Sequence, residues 1–564
     1  LILSCRTIST SIRRMIYEKE TAPDFKTALN LLRTQVAMDS ASIHESSLRR
    51  RETVQEMREY MRRIGIPYKK IDNANTAFES ILHIAGTKGK GSTCSMCEAI
   101  LRHSYGAHTA LYTSPHLVKV TERIRLDGKP ISDEEFTIAY MEVRNRLLSF
   151  DGEDKDSLPL LPGYFRMLTL VAFFVFNHHQ FDDGSKVDVT ILETGLGGRY
   201  DATNAFECSD GMGITLLDFD HTRVLGNTIE EIAWEKSGIL KKRTPHDNKM
   251  SNLVEDMVFT VEENCPAAIE VITKCAAEQS NAKVMIVRYG EKVPPSYNIG
   301  LPGDHQRSNA ELAVSMVEAW GKIRRAQSSQ YHLHHSTTSY QLALEKAFWP
   351  GRCQTITREH VRLRCDGAHT EKSIDSCIQW FCKVSGYHPQ ETPPSLPQRR
   401  ILVFNCSHER NPVPLLQKFI KASKLRNENL FHQVYFCPSN SERPSMVSKS
   451  APEALLQQAG ITVLPAVEDG SHSTLWQDTL STIWLHLEQL EISSESSDTT
   501  VVSKSTEVLV GKSVAEVLGQ IEKNAALSDK PTEVLVTGSL YIVGSILEAA
   551  QWVESCAGGA LVIR

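Results

Sequence analysis

The chain has 564 residues, too many for one ordinary hydrophobic core, so two domains are expected. It is 41% hydrophobic and 23% charged with a formal net charge of -6, which gives no general attraction to nucleic acid or an anionic membrane. The 13 cysteines are odd in number and irregularly spaced, which argues for reduced thiols rather than a disulfide framework.

Residues 1–17 carry Arg6, Arg13 and Arg14, several Ser and Thr, and no acid before Glu18. This is the composition of a mitochondrial transit segment, the plain alternative being a frayed polar terminus. Met15 is a candidate alternative start for a cytoplasmic form, so a mitochondrial location, a cytoplasmic one, or both are expected.

Residues 18–322 are expected to form the first domain. Short apolar runs, Ile81–Ala85, Thr109–Tyr112, Val187–Glu193 and Gly213–Leu217, alternate with helix-like segments, the pattern of an α/β fold with a mainly parallel buried sheet. Directly after the first run stands Gly86-Thr87-Lys88-Gly89-Lys90-Gly91-Ser92, with a helix expected to begin near Ser92. A glycine-rich turn lets backbone N–H groups approach phosphate, and Lys90 can reach the outer phosphates, so a P-loop ATPase domain is expected. Gly91 stands where the general P-loop pattern has Ser or Thr, and an ordinary glycine-rich turn is the alternative. Cys94 and Cys97 form a C-x-x-C inside that helix, where packing is expected rather than redox or zinc chemistry.

Ser114 follows the second run, Glu193 ends the third and His221 follows the fourth. Ligands of an open parallel sheet bind outside the carboxyl ends of the strands, so these side chains and Lys90 should meet at one edge. Taken singly, Ser114 reads as a turn residue, Glu193 as half of a surface ion pair and His221 as a core histidine. Between these runs, the apolar stretch Met167–Phe176 falls well short of the roughly 20 residues that span a bilayer and should be a buried helix. The segment Thr228–Lys236 opens with a capping-box pattern and places Ile229, Ile232, Ala233 and Lys236 on one face. A lysine there either snorkels to water or, if buried, favours the free amine that reacts with carbon dioxide to form a carbamate.

The polar run 323–339 reads as the interdomain linker. Residues 340–564 then carry a second α/β series, Val361–Cys365, Arg400–Asn405, Gln433–Cys437, Ile461–Leu464 and Glu533–Thr537, expected as a smaller Rossmann-like domain. Ser385–Gln398 and Glu491–Ser505 read as surface insertions.

Taken together, the ordered motifs HIAGTKGKGST, YTSPHLVKVTERIRLDGKPIS, PGYFRMLTL, ILETGLGGRYDATN, DHTRVLG with IAWEKSGILK, LPGDHQRSNAELA, WPGR and CDGAHT resemble the folylpolyglutamate synthases of the Mur ligase superfamily. Thr194 and Asp218-Phe219 depart from the usual pattern without removing a proposed ligand. The resemblance implies an ATP-dependent ligase that adds L-glutamate to the γ-carboxylate of a folate. It implies magnesium at Ser114, Glu193 and His221, a carbamylated Lys236, and a monovalent cation such as potassium. It further implies ATP contacts from Asn309, Arg352 and Asp366, glutamate contacts from His369 and Ser539, and folate contacts from the loop His116–Arg125. A monomer working on small molecules is expected, with catalytic roles for Lys90, His221, Lys236 and His369. The rival readings are dihydrofolate synthase, which adds the first glutamate to dihydropteroate, and a P-loop nucleotide switch that binds a protein partner.

Overall fold

The computed structural model describes residues 23–40, 50–69, 77–152, 158–241, 258–280, 282–327, 337–386, 399–407, 410–424, 429–440, 456, 460–461, 475–493, 505–528 and 530–554. The expected transit segment, most of both insertions and residues 462–464 of an expected strand lie outside them. No described helix is long and apolar enough to cross a membrane. The chain divides into two compact units, Leu1–Gly300 with Asp304–Phe348, and Leu301–Gly303 with Trp349–Arg564.

The first unit is built on β1 (Ile81–Ala85), β2 (Thr109–Tyr112), β3 (Ile124–Leu126), β4 (Lys129–Pro130), β5 (Val189–Glu193), β6 (Gly211–Ile214), β7 (Val258–Val261) and β8 (Val284–Val287). Among the described residues these form one eight-stranded sheet in the order β4-β3-β2-β5-β1-β6-β7-β8. From β2 to β8 every pairing is parallel, and only β3 and β4 run antiparallel at one edge. The central strands β1 and β5 are buried at every position, as expected of strands covered on both faces by helices. The apolar helix Tyr164–His178 buries Met167 through Phe176 without interruption, in a core shared with Tyr60, Tyr112, Phe136 and Tyr140.

The second unit holds β9 (Gln354–Thr357), β10 (Val361–Cys365), β11 (Arg400–Phe404), β12 (Gln433–Phe436), β13 (Glu507–Val510) and β14 (Thr532–Thr537). Their order among the described residues is β13-β12-β11-β14-β10-β9, parallel except for β9. An aromatic core of Phe381, Phe404, Phe419, Phe436 and Trp484 lies against it. Ile461 is not in a strand.

The division between units falls at Phe348–Trp349, not in the polar run 323–339. That run begins inside the helix His305–Gln327 and ends inside the helix Thr337–Lys346, both in the first unit. The second helix is tied down by Tyr340, whose hydroxyl meets that of Tyr105 at 3.1 Å. Just beyond it, the Ser95 hydroxyl donates to the Phe348 carbonyl at 2.9 Å.

Candidate active site

The strand order β2-β5-β1-β6 brings four loops side by side at the carboxyl rim of the first sheet. β1 leads into the loop Gly86–Gly89, which requires two left-handed glycines, φ +147° at Gly86 and +87° at Gly89. A Cβ at Gly86 would sit 1.8 Å from Thr215 Oγ1, and one at Gly89 would sit 2.1 Å from Asn309 Oδ1. The loop is tied to the end of β6 by Thr87 and Lys88, whose N–H groups both donate to Leu216 O, at 3.1 and 3.0 Å. Thr87 Oγ1 donates to Asp218 O at 3.1 Å, and Lys88 Nζ lies 3.6 Å from Asp218 Oδ2. The helix Lys90–Tyr105 therefore starts at Lys90, two residues before the expected Ser92, and no side chain caps it at Gly89. Its first N–H groups are left for an anion, with the helix dipole in support.

Next to this loop, Glu193 at the end of β5 accepts from Ser114 N at 3.0 Å, through Oε2. Ser114 and Glu193 are thus in direct contact. His221 departs from the expectation of a core histidine. It holds a left-handed backbone, φ 51° and ψ 37°, and its side chain is 54% exposed. Its N–H donates to Asp220 Oδ1 at 2.9 Å.

Lys236 does not snorkel. It is 4% exposed, and its Nζ donates to Gly86 O at 2.8 Å, which binds the helix Ile229–Lys236 to the loop Gly86–Gly89. Thr228 caps that helix: Glu231 N donates to Thr228 Oγ1 at 3.2 Å and Thr228 N donates back to Glu231 Oε2 at 3.2 Å. Burial, and then the charge of Lys90, pull the Lys236 ammonium down to about 7, while Asp220, Asp201 and Glu235 oppose the fall. A substantial share of the side chain is then free amine near neutral pH.

Asp201 is a loop-shaping residue that the sequence reading passed over. Its Oδ2 accepts from Gly195 N at 3.0 Å and Leu196 N at 2.9 Å, and its Oδ1 accepts from Thr203 N at 2.9 Å and Thr203 Oγ1 at 2.7 Å. It thereby shapes the loop that follows Glu193. The signal was present in Asp-Ala-Thr, where an Asp can accept from the N–H two residues on. Cys94 and Cys97 are buried free thiols whose ionisation burial pushes up, so they pack.

The second unit gathers its own set at the carboxyl ends of β10, β11 and β14. Asp366 accepts from Cys353 N at 2.8 Å through Oδ2 and from Ala368 N at 2.9 Å through Oδ1. Arg352 lies over Gly367, where a Cβ would come 2.5 Å from its Nη1. His369 Nδ1 is 2.7 Å from Gly367 O, a carbonyl to which a protonated ring nitrogen donates. Ser539 caps the helix Leu540–Ala549, its hydroxyl accepting from Ile542 N at 3.3 Å and keeping its own proton to donate.

Magnesium favours oxygen donors and keeps water and substrate phosphates in its shell. The carboxylate of Glu193 beside Ser114 suits such an ion. No group of three or more His, Cys, Asp or Glu capable of holding a metal occurs among the described residues. A cation here would therefore draw several of its ligands from nucleotide phosphates.

No family model matches the chain. Among curated relatives, the bovine protein named mitochondrial folylpolyglutamate synthase is 37% identical, over 70% of this chain and 64% of its own length. The Arabidopsis thaliana folylpolyglutamate synthase is 32% identical over 83% of this chain and 80% of its own length. The chain belongs to the folylpolyglutamate synthase family. It spans just under two thirds of the bovine relative. The Mycobacterium tuberculosis folylpolyglutamate synthase solved in complex with ADP has the same fold, with a TM-score of 0.60 at 20% identity, over 87% of this chain and 93% of that one. One folylpolyglutamate synthase relative carries a mitochondrial name and the other does not.

Proposed function

We propose that the chain is an ATP-dependent ligase that adds L-glutamate to the γ-carboxylate of a folyl-(poly)glutamate, forming ADP and phosphate. The observation that carries this reading is the Gly86–Ser92 loop, joined to Lys236 through Gly86 O and flanked on adjacent strands by Glu193 and Ser114.

A carboxylate is a poor electrophile, so phosphoryl transfer from ATP activates it as an acyl phosphate. The amino group of the incoming glutamate then attacks that carbonyl and phosphate leaves. The chain's part is positioning and charge neutralisation. The uncapped helix start at Gly89 cradles the phosphates, with Asn309 packed against the same loop. Lys90 supplies fixed positive charge worth about 2–4 kcal/mol to the transition state. Bound magnesium, held by Ser114, Glu193 and His221, would neutralise charge between two anionic reactants. A monovalent cation such as potassium belongs to the same reading.

The Lys236 amine, short of a proton near neutral pH, is suited to carbamate formation. In the second unit we assign Arg352 and Asp366 to the nucleotide and His369 and Ser539 to glutamate. The loop His116–Arg125 is assigned to folate; in it Arg123 Nε donates to His116 Nδ1 at 2.9 Å. We assign the protein to mitochondria, cytoplasm or both, testable by import of a fusion carrying residues 1–30.

The deciding experiment is ATP-dependent incorporation of labelled glutamate, with and without tetrahydrofolate. Folate-dependent incorporation is expected, and its loss in Lys90→Ala and His221→Ala with the fold retained. Dihydropteroate as the preferred acceptor would favour dihydrofolate synthase instead. Slow ATP hydrolysis indifferent to folate would favour a nucleotide switch.

A further inference from the structure

A second basic site lies in the first unit, behind the loop that follows Glu193. It is an open-sided pocket of about 310 Å³ lined by Arg51, Arg58, Arg199 and Lys241, with Tyr200 and Asn204 on one wall. Glu207 is the one carboxylate among its described lining residues, and it lies 3.4 Å from Lys69 Nζ. Three arginines against one paired acid make a site for an anion.

The cations are held by backbone rather than by carboxylates. Arg58 Nε donates to Ala205 O at 2.7 Å, and Arg199 Nη2 donates to Trp234 O at 3.1 Å with its guanidinium over the Trp234 ring. Lys241, half-buried, donates from Nζ to Asn204 O and Phe206 O. Asn204 spends both amide hydrogens, on Arg199 O at 3.1 Å and Gly238 O at 3.0 Å, which fixes its orientation. Its Oδ1 is buried without a hydrogen-bond partner, and the residue is only 6% exposed. The pocket therefore offers a ligand positive charge for carboxylates.

One wall of the pocket packs on an element that also serves the candidate active site. A Cβ on Gly198 would sit 2.6 Å from Lys236 O, so the loop carrying Arg199, Tyr200 and Asn204 packs against the end of the helix that delivers Lys236. Each γ-linked glutamate added to a folate brings one α-carboxylate.

We infer that this pocket is a subsite for the γ-glutamyl tail already present on the acceptor, binding α-carboxylates through Arg51, Arg58 and Arg199. The inference rests on the ligase reading and adds a preference for long acceptors over short ones.

The test compares tetrahydrofolate monoglutamate with tetrahydrofolate tetraglutamate as acceptors for the wild type, Arg51→Glu and Arg51→Lys. Arg51 is exposed, so neither substitution disturbs the core. For Arg51→Glu, KM for the tetraglutamate is expected to rise about tenfold while KM values for the monoglutamate and ATP stay unchanged. Arg51→Lys should restore most of the difference, and salt should weaken it. Calorimetry with free γ-linked tetraglutamate peptide reads the pocket without catalysis, and Arg51→Glu should weaken that binding too. Equal KM changes for both acceptors, no change for either, or no peptide binding by the wild type would overturn the subsite. Failure of the wild type to ligate the monoglutamate, with peptide binding intact, would overturn the ligase reading instead.

Discussion

The Lys236 Nζ donates a 2.8 Å hydrogen bond to the Gly86 carbonyl, across 150 residues of sequence. One buried lysine thus fixes the loop Gly86–Gly89 to a separate helix, and its protonation bears on stability. Lys236→Met keeps the apolar stem but leaves the Gly86 carbonyl unpaired. We expect loss of glutamate incorporation and, above about pH 10 where Lys236 carries no protonation penalty, a loss of about 1–3 kcal/mol by denaturant unfolding. If a carbamate is part of the chemistry, NMR with isotope-labelled bicarbonate should show a lysine carbamate in the wild type. Active enzyme without that signal would remove the carbamate.

The same lysine gives stability a pH dependence of known sign. In the folded chain burial lowers its titration to about 7, whereas an unfolded lysine holds its proton to about 10.4. Between those values the unfolded chain binds the extra proton, so stability rises with pH, and below about 7 the penalty is complete. Lys241, lowered by burial to about 7, adds a slope of the same sign. Lys236→Met should therefore reduce the wild-type slope of unfolding free energy between pH 7 and 9 by about half without abolishing it. An unchanged slope would contradict the burial of Lys236.

Gly89→Ala combines a left-handed backbone with a Cβ placed 2.1 Å from Asn309 Oδ1. The loop or the helix His305–Gln327 must shift. We expect about 1–3 kcal/mol of destabilisation and a raised KM for ATP, with the acceptor KM less affected. Thermal unfolding and initial rates at varied ATP measure both, and an unchanged ATP KM would separate this loop from nucleotide binding.

Glu193→Gln preserves size while replacing the charge beside Ser114. Loss of at least about a hundredfold in kcat is expected, with the circular dichroism spectrum unchanged and a shifted magnesium dependence. Wild-type magnesium titration of the rate in this variant would reject Glu193 as a ligand.

In the second unit, Asp366→Asn must set an amide N–H₂ against either Cys353 N or Ala368 N, which now donate to its two oxygens. About 2–3 kcal/mol of destabilisation is expected by denaturant unfolding, independent of any effect on catalysis. Full stability would mean that these two bonds carry no weight.

Much of this fold was legible in the sequence where residues are apolar on both faces. Ile81–Ala85 and Thr109–Tyr112, buried at every position, and Val361–Cys365, buried except at Arg362, were read with their observed limits. β8 and β13, largely exposed at the sheet edges although their residues are mostly apolar, were not read. The run Gly213–Leu217 was placed too late, since Leu216 O accepts from the loop Gly86–Gly89 and Leu217 N donates to Asn264 Oδ1 at 2.7 Å. The strand of origin of Lys90, Ser114, Glu193 and His221 was readable, but the Ser114–Glu193 contact was not. Periodicity put Lys236 on a buried face, yet only coordinates could supply its acceptor. The linker was misplaced because polar helix ends resemble a loop in composition.

His221 sits in a bend that L-residues other than Asn and Asp rarely occupy, and its ring is largely in water. Glycine would hold this bend with less strain, so folding and chemistry pull in opposite directions at position 221. A screen for heat tolerance would tend to discard the imidazole there, and an assay for ligation would bring it back.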